Sequence, residues 1–316
     1  MRHSDRGERR RAHFRGASAV VTGAGSGIGA ALATELVARG AHVLVTDVDE
    51  QAAATVAEGL RRRGSGLNGH SGEHPTVAVE RLDVTDAAAV EEIVGGYAEA
   101  RDGLDFLFNN AGIGVGGPVE ALGIEHWRTA VDVNLYGVVH GVAAAYPRML
   151  ERGRGHIVNT ASCAGLLPSP GLVPYSVTKH GVVGLSVGLR MEAASRGVRV
   201  TAVCPGLIET PLLDKGNGVD LPGAPDIDVR AMLTAVMGKP YPASALAVDV
   251  LDGVADNRAI IVSPKKARPI WLFYRLAPEL FLKLATRRGP LGPGGSLAVE
   301  AQRFTRQKRA AGSASR

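Results

Sequence analysis

The chain is predicted to be an α/β protein built on a single doubly wound parallel sheet with helices on both faces. Two observations carry that expectation. Short apolar runs alternate with segments of helical periodicity from residue 17 to residue 262, and strands separated by helix-length connections pair in parallel through right-handed crossovers. The first run also passes through a glycine-rich stretch, Gly23 to Gly29, into an alanine-rich helix. That local order presents free backbone N–H groups and a positive helix end to an anion. With 316 residues, 45% of them hydrophobic, the chain can bury one large core and carry appendages around it.

Ala17 to Thr22 reads as the first strand, and Gly23, Ala24, Gly25, Ser26, Gly27, Ile28 and Gly29 as the turn into a helix that ends near Arg39. Glycine suits the turn because a β-carbon would block the close approach of a pyrophosphate. Ala41 to Thr46 is the second strand and ends at Asp47, about twenty residues past the glycine loop, where a carboxylate accepts from both hydroxyls of an adenosine ribose and repels a 2′-phosphate. No Arg or Lys occurs in Val48 to Gln51 or in the glycine loop, which points to NAD(H) over NADP(H). Asp49 suits the N-cap of the next helix, Glu50 to Arg63, better than Asp47 does. Gly64 to Pro75 then reads as an inserted surface loop, and its His70 and His74, lacking partners at ligand spacing, as solvated residues without a metal.

Thr76 to Leu82 is the third strand, followed by Asp83 and Val84, and Asp86 is placed to cap a helix that runs to about Arg101. Leu104 to Phe108 is the fourth strand and runs into Asn109, Asn110, Ala111, Gly112 and Ile113. A long helix is expected over residues 124 to 151, with Asn134 in its midst; a polar side chain on the sheet-facing side is costly unless paired.

The stretch Asn159 to Gly181 carries the candidate chemistry. His156 to Ala161 reads as a buried parallel strand, so the Ser162 hydroxyl emerges at its carboxyl end, where open α/β sheets bind ligands. Pro174 suits the first turn of a helix, and Tyr175 and Lys179, four apart, then share a face. A fixed positive charge beside a phenol lowers its pKa from about 10 towards neutral pH. Val198 to Val203 is the sixth strand, followed by Pro205, Gly206, Leu207, Ile208, Glu209 and Thr210. Residues 211 to 240 are predicted to be an irregular lid whose Leu212, Leu213, Leu221, Met232, Leu233 and Met237 favour a hydrophobic substrate or, equally, pack on the domain. A helix from Pro242 to Ala255 and a strand from Ala259 to Val262 complete the sheet.

Ser162, Tyr175 and Lys179 at this spacing, with TGxxxGxG at 22–29, NNAG at 109–112 and PGxxxT at 205–210, resemble the short-chain dehydrogenase/reductase family in its single-domain form. The resemblance covers residues 17 to 262. It implies a Rossmann-like sheet of about seven strands in the order 3-2-1-4-5-6-7. It also implies a catalytic tetrad of Asn134, Ser162, Tyr175 and Lys179, with Tyr175 as acid/base, Lys179 lowering its pKa and binding the nicotinamide ribose, Ser162 on the substrate oxygen and Asn134 holding a relay water. Cofactor contacts implied are Gly23, Gly25, Ser26, Gly27, Ile28 and Gly29 at the pyrophosphate and Asp47 at the ribose. Asp83 and Val84 would lie at the adenine, Asn110, Ala111 and Gly112 on the adenosine side, and Pro205, Gly206, Ile208 and Thr210 at the carboxamide.

The net charge of +5 is segregated. Residues 1 to 16 hold six Arg against two acids and residues 265 to 316 hold twelve basic residues against two acids, leaving −9 for residues 17 to 264. An acidic body argues against nucleic acid as a partner. Residues 1–14 and 289–316 read as disordered basic tails flanking a catalytic domain at 15–264. Residues 265–288 read as a basic amphipathic helix, in which Ile270, Phe273, Tyr274, Ala277, Leu280, Phe281 and Leu284 form one stripe. Docking on its own domain or on a sister subunit is favoured for this helix, with peripheral contact to a membrane through residues 269–287 as the alternative. The apolar runs are too short to span a bilayer, the N-terminus lacks the apolar segment of a secretory signal, and Cys163 and Cys204 do not form a disulfide framework. A cytoplasmic setting is therefore expected.

The expected activity is NAD(H)-dependent interconversion of a hydrophobic secondary alcohol and its ketone, in a homo-oligomer as the resemblance implies. The alternatives are an NADPH-dependent 3-oxoacyl thioester or other carbonyl reductase, which Asp47 argues against, and a non-catalytic NAD-binding sensor, which the intact tetrad argues against.

Overall fold

The computed structural model describes residues 3–64, 74–214 and 229–288. The expected loop at 65–73 with His70, the lid segment 215–228 with Leu221, and the expected tail 289–316 lie outside the described residues.

The sheet is seven-stranded and parallel throughout. Its strands are β1 (Ser18–Thr22), β2 (His42–Asp47), β3 (Val77–Arg81), β4 (Phe106–Asn109), β5 (Gly155–Thr160), β6 (Val198–Pro205) and, after a short parallel pair β7 (Ile208–Glu209) and β8 (Tyr241–Pro242), β9 (Ile260–Ser263). The order is β3-β2-β1-β4-β5-β6-β9, which is the predicted order with the seventh long strand numbered β9. The inner strands are buried along both faces, and this is why they read in sequence as continuous apolar runs and not as alternations.

Helices follow the strands on alternate faces. Apart from an N-terminal helix α1 (His3–Ala12), they are α2 (Gly27–Ala38), α3 (Glu50–Gly64), α4 (Ala87–Ala100), α5 (Ile124–Val131), α6 (Gly137–Arg152), α7 (Val173–Ala193), α8 (Val229–Met237), α9 (Ala243–Ala255), α10 (Arg268–Leu276) and α11 (Pro278–Arg288). One face of the sheet packs α2, α3 and α9 through Leu32, Leu36, Ala57, Leu246 and Val250, and the other packs α4, α6 and α7 through Val90, Val94, Ala144, Met149 and Val182. Asp86 caps α4 by accepting from the Ala88 and Ala89 N–H groups at 3.0 Å each, and Asp49 accepts from Ala52 N–H at the start of α3. After β3 the chain crosses to the other side of β1 to form β4, so the crevice between the carboxyl ends of β1 and β4 is the switch point of the fold.

Four expectations are corrected. Residues 3–12, expected to be part of a disordered tail, are helical, and Phe14 behind them is wholly buried against Phe106, 5.0 Å between ring centroids. Acidic residues far away in sequence hold this helix. Arg10 donates to Asp252 of α9 and to Asp256, the residue that caps its C-terminus, each at 2.9 Å, and burial of Phe14 adds about 2–3 kcal/mol. The helix expected over residues 124–151 is interrupted by a π-turn, Asp132–Tyr136, that carries Asn134. The single helix expected over 265–288 is two, broken at Ala277 (φ −141°, ψ 64°), because Pro278 has no N–H to donate and disfavours helical geometry in the residue before it. The part of the lid that is described is also more regular than expected, since α8 is helical.

Candidate active site

The glycine cradle is built by close approaches. A Cβ on Gly23 (φ +63°) would lie 2.7 Å from Ala111 Cα, and one on Gly29 would run into the Gly23 carbonyl oxygen and lie 2.6 Å from Asn110 Nδ2. Gly27 (φ +54°) faces the Thr210 methyl, 3.2 Å from where its Cβ would be. These contacts bring the NNAG turn and the segment after β6 against one short loop. Ser26, the N-cap of α2, is exposed and makes no side-chain cap bond, so its hydroxyl and the first N–H groups of the helix face outward. The cradle and the positive helix end fit a dinucleotide pyrophosphate.

Asp47 ends β2 beside this loop. Its Oδ2 accepts from Gly25 N–H at 2.9 Å and its Oδ1 from Asp49 N–H at 3.0 Å. The carboxylate thus orients the glycine loop, and each oxygen keeps a lone pair for a further donor. Asp83 Oδ1 accepts from the Thr85 N–H and hydroxyl, and Val84 is buried against Gly137. The side chain of Asn110 donates to the Thr22 and Gly23 carbonyls at 3.1 and 3.2 Å, which makes it a staple between β1 and β4. Ile208 is buried in β7, Thr210 caps the turn at Pro211–Leu213, and Gly206 N–H donates to Ser263 O at 2.8 Å.

The four residues expected to act together do converge, at the carboxyl ends of β4 and β5. Lys179, nearly fully buried on α7, donates from Nζ to the Thr160 carbonyl at 2.9 Å, and its ammonium lies 5.6 Å from the Tyr175 ring centroid. Asn134 is completely buried in the π-turn. Its Nδ2 donates to Ile113 O at 3.0 Å and its Oδ1 accepts from Ile113 N–H at 2.8 Å, so the amide is paired and its burial is not penalised. Gly112 is the spacer between these two groups: a Cβ there would lie 3.0 Å from Asn134 Oδ1 and 3.3 Å from Lys179 Nζ. Ser162 is extended at the end of β5 and accepts from Ala164 N–H at 3.1 Å, and its hydroxyl is near enough to the Tyr175 phenol to favour the ionised form.

Burial moves both titrating groups away from their charged forms. The Tyr175 phenol is pushed up from its ordinary value by loss of water, with the Ser162 hydrogen bond pulling the other way. The Lys179 ammonium is lowered to about 8 by burial. The direction at Tyr175 is opposite to the downward shift expected from the sequence, because desolvation of the phenolate outweighs the favourable Ser162 hydroxyl. The same burial raises the Cys163 thiol to about 11, which leaves that neighbour of Ser162 a neutral packing group.

Several positioning residues escaped the sequence reading. Thr22 accepts at Oγ1 from both Asn110 N–H and Ala111 N–H, at 2.9 and 3.0 Å. Thr160 supplies the carbonyl that fixes Lys179. Ser176 donates to Ala164 O at 2.6 Å, and Gly165 lets the turn Cys163–Gly165 lie directly on the backbone of Lys179, which sets α7 against Ser162. A threonine or a glycine at the end of a strand is too common a feature to flag such a role; only the pairing across strands does.

A doubly wound sheet with a glycine cradle at its switch point defines a dinucleotide-binding protein. A family model described as short chain dehydrogenase matches residues 17–218. The chain is 39% identical over 201 residues to a cyclohexanol dehydrogenase of Acinetobacter sp. (strain SE19), covering 63% of this chain and 76% of that one. An uncharacterised oxidoreductase of Staphylococcus saprophyticus is 36% identical over 194 residues, 61% of this chain and 79% of the relative. Among solved structures, a short chain dehydrogenase/reductase from Burkholderia phymatum in complex with NAD superposes with a TM-score of 0.75 at 30% identity, covering 84% of this chain and 95% of the other. A levodione reductase superposes with a TM-score of 0.68 at 29% identity, covering 79% and 96%. The chain belongs to the short chain dehydrogenase family and is an oxidoreductase of that family.

Proposed function

We propose that the protein interconverts a hydrophobic secondary alcohol and its ketone by hydride transfer with NAD(H). The observation that carries this reading is the convergence of Ser162, Tyr175, Lys179 and Asn134 at the strand ends next to a glycine cradle bordered by Asp47. Gly23, Gly25, Ser26, Gly27, Ile28 and Gly29 would hold the pyrophosphate and Asp47 the adenosine ribose. Asp83, Val84 and the Asn110–Gly112 turn would border the adenosine, and Pro205, Gly206, Ile208 and Thr210 the nicotinamide. The bound nicotinamide supplies the site that accepts or donates hydride.

Tyr175 takes the hydroxyl proton in oxidation and returns it in reduction. Ser162 donates to the substrate oxygen and stabilises the charge that develops there. Lys179, held by Thr160, keeps positive charge beside the phenol and orients the nicotinamide ribose. Asn134, locked by Ile113, holds the far end of the proton path. Asp47, with no cation in Val48 to Gln51, supports NAD(H) over NADP(H), in keeping with the Burkholderia relative that binds NAD. The apolar Leu213 in the turn after β7, and the cyclohexanol dehydrogenase relative, support an apolar and cyclic substrate.

The test is a paired titration with NADH and NADPH, followed by NADH production from a panel of cyclic secondary alcohols. NADH is expected to bind more tightly, and Tyr175→Phe to retain that binding while losing at least ~10³-fold in turnover. Tighter NADPH binding would sink the assignment of Asp47, and undiminished turnover in Tyr175→Phe would sink the assignment of the acid/base.

A further inference from the structure

The C-terminal helix pair carries a surface that the oxidoreductase chemistry does not use. The inner side of α10 is anchored: Ala267, just before it, is buried, and Trp271 packs on the cluster of Cys163, Cys204 and Val262. Its other side reads Pro269, Leu272, Phe273 and Leu276, spaced i, i+3, i+4 and i+7, and stands away from the domain. Leu272 is 54% exposed and Leu276 74%, and in α11 Leu280 and Leu284 are 50% and 44% exposed. The aromatic contacts of Phe281 with Phe273 and Tyr274, at 5.7 and 5.2 Å, hold the two helices as one unit. Contiguous apolar exposure of this kind marks a binding surface.

Charge selects the occupant. Residues 265–288 hold seven basic side chains against the single acid Glu279, on a protein whose residues 17–264 sum to −9. A twofold contact with a second copy would set two basic rims against each other with one carboxylate apiece to offset them. An anionic lipid surface offers both an apolar phase for the leucines and negative charge for the rim. No helix among the described residues is long and apolar enough to cross a membrane, so the contact lies in the interface plane.

We propose that α10 and α11 dock the protein on anionic phospholipid bilayers. Leu272, Phe273 and Leu276 enter the headgroup–acyl boundary, and Lys265, Lys266, Arg275, Lys283 and Arg287 meet the phosphates. The test is co-sedimentation of the full chain with vesicles of phosphatidylcholine alone or with about 30% phosphatidylglycerol, at about 0.1 M and 0.5 M salt. Binding is expected on the anionic vesicles at low salt and at least ~10-fold weaker partition on neutral vesicles or at high salt. Leu272→Asp/Leu276→Asp is expected to abolish binding, and Arg275→Glu to weaken it on the order of tenfold, with NADH binding intact in both. Equal partition on both vesicle types, wild-type partition by the double variant, or a chain that ignores both vesicles while the double variant changes only its oligomeric state would each overturn the proposal, the last by assigning the face to a second copy.

Discussion

Lys179→Met should make this protein more stable at neutral pH while disabling it. The native ammonium is nearly fully buried, with one hydrogen bond to Thr160, and its pKa is lowered from 10.5 to about 8. A pKa lowered in the folded state means that folding penalises the protonated form. The penalty is complete below about pH 8, shrinks as the native amine loses its proton between 8 and 10.5, and is absent above 10.5. At about 1.4 kcal/mol per unit, it amounts to about 3 kcal/mol at pH 7. Methionine fills a similar volume without charge but loses the bond to Thr160 O, costing about 1 kcal/mol. The expected net gain is about 2 kcal/mol at pH 7, turning into a loss of about 1 kcal/mol above pH 10.5. Reversible urea unfolding of both proteins at pH 7 and pH 10.5, compared as differences, reads this directly. A variant less stable than the parent by the same amount at both pH values would refute the idea that a desolvated charge is maintained here at the expense of stability.

Two further outcomes follow from the packing. Gly29→Ala drives a methyl into the Gly23 carbonyl and the Asn110 amide, so NADH binding should fall sharply and stability by about 1–3 kcal/mol, measured by cofactor titration and urea unfolding. Arg10→Ala removes the bonds from α1 to Asp252 and Asp256 and should cost about 1–2 kcal/mol at pH 7 after allowance for partial exposure. Arg10 holds the Asp256 carboxyl below the ordinary carboxylate range. The cost should therefore persist above that range and disappear as the pH falls through the lowered value, which unfolding of parent and variant across acid pH checks.

Local sequence was sufficient for the sheet and the cradle because both depend on short-range rules. The apolar runs of β1, β2, β4 and β5 are long enough to be strands buried on both faces and too short to be helices. Gly23, Gly27 and Gly29 lie where a strand turns into the first turn of a helix, where only their lack of a β-carbon makes sense. The spacing of Ser162, Tyr175 and Lys179 is likewise a matter of one strand end and one helical turn.

Tertiary structure decided what depends on partners far apart in the chain. Six arginines in residues 1–16 read as a solvated tail, and the carboxylates that make α1 a folded element, Asp252 and Asp256, lie some 240 positions away. The direction of the Tyr175 shift follows the same rule: spacing tells how near Lys179 comes, whereas desolvation of the phenol depends on what the fold packs around it. The amphipathic pattern of residues 269–287 marked an apolar stripe, but only packing shows that Trp271 turns inward, that Pro278 splits the stripe into two helices, and that Leu272 and Leu276 are left facing outward. Periodicity is written in neighbours along the chain; burial and charge compensation are written in neighbours in space.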